Sequence, residues 1–149
     1  MQIAVKISIA KLSNEGKNFR WPPIKSCPCC KGKLWAHGFV KFNPTDFKTP
    51  LLLKRLKCTK CKKVLTLKPK EYWKGFRTSV NTIYKRLMTK LTHRPPKYAI
   101  GRQNVNFWFS RLMVFLKMEF SAVLEKSRLE DWLHFFYVKE IPFATELYP

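Results

Sequence analysis

Two short cysteine pairs constrain this chain more than any other feature. Cys27-Pro28-Cys29-Cys30 is answered further along by Cys58-Thr59-Lys60-Cys61. A C-x-x-C turn lets two thiolates converge on one ion from a single tight loop, and two such turns complete a tetrahedron around Zn²⁺. The spacing therefore predicts one structural zinc ion held by Cys27, Cys30, Cys58 and Cys61. Pro28 stiffens the first turn, and Gly32 supplies backbone freedom just after it. Lys25, Lys31, Lys57, Lys60, Lys62 and Lys63 surround the pairs. A zinc tetrathiolate is formally dianionic, so this positive shell favours thiolate formation and metal binding. Cys29, inside the first pair, and His37, beyond it, are the alternative ligands. With four better-spaced thiols available, Cys29 is expected to turn off the site and His37 to be structural.

The charge narrows the class of partner. Among 149 residues, 30 Lys and Arg stand against 9 Asp and Glu, a formal net charge of +21. Such an excess points to a polyanion, nucleic acid being the commonest. Its distribution supports a dedicated basic face: residues 48–102 contain one acid, Glu71, whereas the acids crowd into residues 119–149. No run of about 18 apolar residues would span a membrane. Met1–Leu12 alternates and does not read as a signal peptide. With the cysteine usage, this predicts a reducing compartment and a cytoplasmic, nucleoid-associated protein with no membrane partner.

Along the chain, Ile3, Val5, Ile7 and Ile9 alternate with smaller or polar residues, which predicts one strand from Ile3 to Ile9. Leu34–Phe42 and 50–56 read as antiparallel strands around the turn Asn43-Pro44-Thr45-Asp46, and 64–67 as a third strand. Tyr72, Trp73 and Phe76 mark a linker, expected to pack the ribbon on the next domain. Val80, Ile83, Tyr84, Leu87, Met88 and Leu91 form a stripe at helical spacing over 78–91, with Lys85, Arg86 and Lys90 facing outward. Pro95-Pro96 interrupts it. A second helix is expected from an N-cap at Asn104 to about Phe120, with Val105, Trp108, Leu112, Phe115 and Leu116 inward. Ser127-x-x-Glu130 reads as a capping box before a short aromatic helix over 131–138. The expected fold is α+β: residues 1–76 form an N-terminal strand and a four-cysteine zinc ribbon, and 77–149 a small helical domain of helix-turn-helix type.

The segment Cys27-Pro28-Cys29-Cys30-Lys31-Gly32-Lys33-Leu34-Trp35-Ala36-His37-Gly38 resembles the opening of a bacterial zinc-ribbon family of unassigned function. Leu56-Lys57-Cys58-Thr59-Lys60-Cys61 and then Leu65-Thr66-Leu67-Lys68-Pro69 look like its second half. The family commonly sets this ribbon before a helix-turn-helix in proteins of transposons and other mobile elements. Val105-x-x-Trp108-x-x-Arg111-Leu112 is similar to the recognition helix of such domains. The resemblance implies nucleic-acid binding in a mobile-element setting.

The leading expectation is a zinc-dependent DNA-binding protein, an accessory or regulatory factor, with double-stranded DNA as its partner. Lys54, Arg55, Lys57, Lys60, Lys62, Lys63, Arg77, Arg86, Lys97 and Arg102 would meet phosphates. Gln103, Asn106 and Arg111 would read bases from the second helix. The alternatives are an RNA-binding ribbon using Trp35, Tyr72 and Trp73 as stacking surfaces, and an adaptor of a recombination or transcription assembly. In the last case the C-terminal aromatic helix would grip a protein partner or a second copy. No carboxylate cluster suited to two-metal phosphoryl transfer is present, and four cysteine ligands would leave zinc no open position, so the chain is not expected to be an enzyme.

Overall fold

A computed structural model describes residues 1–92, 102–124 and 128–141, with the side chains of 102 and 120–124 excepted. The chain divides into two compact units, Met1–Thr78 and a second from Ser79 onward. All of the sheet lies in the first unit, and the second consists of helices among the described residues.

The first unit opens with strand β1 (Gln2–Val5) and helix α1 (Ile9–Glu15). The alternation expected to carry a strand through Ile9 stops at Val5. Ser8 takes an extended conformation, and its hydroxyl accepts from the Lys11 amide, capping α1. That helix buries Leu12, three residues after Ile9, and ends at Gly16 with φ +55°. The alternation signal thus gives way to a local cap and one strongly apolar helical position.

Strands β2 (Leu34–Phe42) and β3 (Leu51–Cys58) form the expected hairpin, and β4 (Val64–Pro69) returns antiparallel to β3. β1 then adds beside β4 in parallel, Gln2 opposite Thr66, giving the order β1-β4-β3-β2. The N-terminal strand therefore belongs to the same sheet as the hairpin. The hairpin register slips between Ala36 and Phe39, so His37-Gly38 bulge opposite Arg55, with Gly38 at φ +77°.

β3 buries Leu51 and Leu53 near its start but Leu56 and Cys58 near its end. Successive strand residues point to opposite faces, so the change of parity means that one face is covered near the start of β3 and the other near its end. On the Leu51 face, Phe42 meets Tyr72 edge-on at 5.1 Å. Leu12, Trp21, Cys27, Leu65 and Leu67 complete the buried cluster. Tyr72 and Trp73 are buried, Tyr72 within this first unit's own core, so neither is presented as a stacking platform. Trp21 is packed edge-on by Phe19, and its indole Nε1 finds no acceptor among the described residues.

Lys68 is the buried cation of this unit. Its ammonium donates to the carbonyls of Trp73 and Phe76, both at 2.7 Å, and lies 4.9 Å from the Phe42 ring centre. It thereby satisfies two carbonyls of the segment that folds back over the sheet. The turn between β2 and β3 is tied to the end of the unit. The Thr45 amide donates to the Arg77 carbonyl (2.9 Å), and the Thr45 and Thr78 hydroxyls share a 2.7 Å bond.

In the second unit, α2 (Val80–Leu91) starts at Ser79, whose hydroxyl accepts from the Thr82 amide. Its buried residues include Ile83, Leu87 and Arg86. The expectation that Arg86 faces outward is corrected: the residue retains 9% exposure. It sits three positions after Ile83 and beside Leu87, so helical geometry carries it to the packed face. Helix α3 (Arg102–Leu124) begins before Asn104, which lies inside the first turn and is not the N-cap. Trp108, Leu112 and Leu116 are buried at four-residue spacing. Helix α4 (Leu129–Val138) starts two residues earlier than expected, with Arg128 at the N-cap and making no side-chain cap bond. Ser127 and Pro95-Pro96 lie outside the described residues. α4 buries Leu133 and Phe136, and Tyr137 stacks on Tyr84 of α2 at 4.2 Å.

Burial depresses the Lys68 ammonium from its ordinary value near 10.5 to about 8. The unfolded chain then holds more protons than the native one between those values, so stability contributed at this position rises with pH across that window. In denaturant titrations, wild type should gain stability relative to Lys68→Met as pH rises from about 8 toward 10. A flat difference would mean that the two carbonyls restore the ammonium's full basicity.

Candidate metal centre

The two cysteine pairs adopt matching loops. After the first, the Cys27 amide donates to the Gly32 carbonyl at 2.9 Å; after the second, the Cys58 amide donates to the Lys63 carbonyl at 3.0 Å. Lys31 and Lys62, each directly after the second cysteine of its pair, are left-handed at φ +58° and +60°. This reversal turns each loop back toward its own first cysteine. The loops are also joined: the Thr59 amide donates to the Lys33 carbonyl at 3.0 Å. Leu34 sits opposite Cys58 in the hairpin, which fixes the second loop relative to the first.

The consequence is convergence of four thiols. The Cys27, Cys30, Cys58 and Cys61 sulfurs all lie within 4.8 Å of one another. Cys27 Sγ is 3.7 Å from Cys61 Sγ, and Cys30 Sγ is 3.4 Å from Cys58 Sγ. A tetrahedron with metal–sulfur arms of about 2.3 Å has edges of about 3.8 Å, so the spacing suits a tetrahedral thiolate site. All five cysteines are reduced. Cys29 is exposed and turned away from the four, its sulfur accepting from the Lys63 ammonium at 3.4 Å. His37 is exposed on the bulge of β2 and is not among the four converging side chains.

Backbone amides tune these thiols. Burial opposes ionisation of Cys27, but the Cys30 and Cys29 amides outweigh it and hold the thiol below its usual value. The Cys61 amide, against burial, draws Cys58 down to about 6. At Cys61 the Lys63 amide favours the thiolate, but burial and the neighbouring sulfurs override it and push the group to about 12. Burial and the neighbouring sulfurs thus favour the protonated form of Cys61, whose proton a bound metal would displace. The bond from Lys63 to Cys29, with the nearby sulfurs, holds the Lys63 ammonium above its ordinary value.

Gly32 is fixed by proximity. A Cβ there would lie 2.8 Å from Lys60 Cβ, 3.0 Å from Cys58 Sγ and 3.4 Å from Cys30 Sγ. Only a residue without a side chain lets the loops approach this closely. The parallel Cys-Lys steps Cys30-Lys31 and Cys61-Lys62 are a visible repeat that marks the left-handed positions. The Thr59–Lys33 tie between loops has no signal in the spacing.

The expected phosphate contacts are spread over both units. Lys57, Lys60, Lys62 and Lys63 are exposed around the thiols, and Lys54 and Arg55 are half-buried on β3. Arg77 is exposed, with Nε donating to the Asn43 carbonyl at 2.7 Å. Arg86 is turned into the helical unit. Lys97 lies outside the described residues, as does the side chain of Arg102. On α3, Gln103 and Asn106 are exposed, and the Asn106 Oδ1 accepts from the Lys90 ammonium at 2.6 Å. Arg111 is half-buried, its guanidinium 5.2 Å from the Phe107 ring centre.

Comparison with protein-family models, curated proteins and solved structures gave no match. The centre is thus read from its own geometry: four cysteines on two matching loops that can hold one metal ion.

Two measurements check this centre. Gly32→Ala should lower metal affinity by about ten-fold or more in competition with a chromophoric chelator, because the loops must separate. Wild-type affinity should fall as pH drops from about 8 to about 6, since metal must displace protons from the sulfurs. Metal binding that is independent of pH over this range would contradict a thiolate site.

Proposed function

We infer that this chain is a zinc-dependent nucleic-acid-binding protein, with double-stranded DNA as its principal partner and the zinc ribbon as its electrostatic anchor. The observation that carries this reading is the pairing of a four-thiol centre with a surface almost free of acids. In residues 1–78 only Glu15, Asp46 and Glu71 are acidic, none of them in a strand. The Tyr72 hydroxyl donates to Asp46 at 3.2 Å. Lys57, Lys60, Lys62 and Lys63 project from or beside the second loop, where they would meet phosphates.

Zn²⁺ is the metal best suited to four thiolates in tetrahedral spacing, and its role would be structural. It would fix both loops and so hold the lysines as one array. In α3, Gln103 and Asn106 offer amides suited to base edges. A regulatory or accessory role in a mobile genetic element rests on the resemblance of the knuckle sequence. The adaptor reading is favoured by one observation: Phe135 and Val138 of α4 are 42% and 59% exposed, an apolar surface suited to a protein partner.

Salt dependence and sequence selection test the proposal. Zinc-loaded protein should bind duplex DNA with an affinity that falls steeply with salt, and Lys60→Gln should weaken all duplexes alike and reduce the logarithmic salt slope by about one. Selection against a random duplex library should enrich a motif that Asn106→Ala loses. Binding without an enriched motif would remove the base-reading role of α3 and leave the ribbon as a nonspecific anchor. Absence of binding to any nucleic acid would overturn the proposal and favour the adaptor role.

A further inference from the structure

Trp35 is out of keeping with the other tryptophans buried in this protein. Trp21, Trp73 and Trp108 are 7%, 9% and 3% exposed, whereas Trp35 is 66% exposed. It lies on β2, one of the two edge strands of the sheet, and stacks on no other ring among the described residues. Its cross-strand partner is Lys57, which continues to Val64 on β4; the next row on that face is Arg55 opposite Thr66. Directly paired residues point to the same face, so the indole, the ammonium and the guanidinium share one surface. Lys57 is exposed and Arg55 half-buried, and no strand of the sheet contains an acid.

The local backbone holds this arrangement. Leu34, adjacent to Trp35, pairs with the metal-site residue Cys58, and Lys57 precedes that cysteine. Both members of the Trp35–Lys57 pair are thus adjacent to residues fixed by the thiol centre. On the other side, the bulge at His37-Gly38 increases the local twist and ends regular pairing. The indole is presented on a rigid strand beside positive charge, at little entropic cost for binding.

We propose that Trp35 is a stacking platform for an unpaired nucleotide base, with Lys57 and Arg55 holding the flanking phosphates of a single-stranded segment. A base inside a paired duplex is stacked on both faces, whereas an unpaired base can turn a face to an indole. Charge selects the occupant: an aromatic surface flanked by two cations and no carboxylate suits a polyanion with planar groups better than an apolar protein surface. This proposal deepens the nucleic-acid reading and rests on it. It adds a requirement for unpaired structure that phosphate contacts alone do not impose.

The test compares a mixed-sequence single strand with the blunt duplex made from it, at one salt concentration, using zinc-loaded full-length protein and fluorescence anisotropy. Trp35→Ala should weaken single-strand binding by about ten-fold or more while changing duplex binding by less than about two-fold; Trp35→Phe should retain most of the affinity. Metal content and circular dichroism of both variants should match wild type, since the side chain is largely solvent-exposed. Photocrosslinking of wild type to a single strand containing 5-iodouracil, with peptide sequencing, should place the crosslink at Trp35 independently of any variant. Equal effects of Trp35→Ala on both probes, no effect on either, or a crosslink mapping elsewhere would overturn the platform while leaving the duplex reading intact. Binding of wild type to neither probe would overturn the nucleic-acid reading itself.

Discussion

The convergence of four cysteine sulfurs governs the first unit of this protein. Two loops can bring their thiols this close only if their backbones reverse sharply and if Gly32 lets them approach. Bringing four thiolates together without a cation is costly, because like charges repel. A metal ion turns the same proximity into attraction, with an apparent contribution of about 10–16 kcal/mol in small zinc modules. Because Cys58 ends β3 and pairs with Leu34 at the start of β2, the centre adjoins the sheet's basic surface.

The first unit is nevertheless more than a cysteine cluster. The N-terminal strand adds to its sheet, α1 contributes Leu12 to its core, and the segment after β4 folds back with Tyr72 and Trp73. Lys68 makes that return compatible with burial, since its ammonium supplies donors for two carbonyls that the sheet cannot satisfy. The metal centre and the apolar core are therefore complementary: one fixes the loops at one end, and the other covers the strands beyond them.

Much of this was legible in the residues. The cysteine spacing located the centre, and the turn at Asn43-Pro44 located the hairpin, because both depend on local chemistry that a few residues determine. Ile7 and Ile9 misled, since alternation continues through them while Ser8 can cap a helix; the tertiary burial of Leu12 accompanies the helical outcome. Arg86 misled for a different reason. Charge suggested solvent, but its position beside Ile83 and Leu87 on the helical wheel pointed inward. The exposure of Trp35 was not readable, because whether a strand's aromatic face is covered depends on elements distant in sequence. The family resemblance, with its helix-turn-helix and mobile-element parts, stands as a proposal.

The parallel pairing of β1 with β4 has a consequence for how the chain acquires its structure. Gln2 finds its partner only at Thr66, so β1 must wait during synthesis for the last strand of the sheet. Every intervening element, including both cysteine loops, is made in that interval. Such nonlocal pairing is intrinsically slow because a long loop must close before the contact is rewarded. Capture of metal by the loops would shorten that closure, since it brings Cys27 and Cys58 together and leaves β1 a nearly finished sheet edge on which to dock.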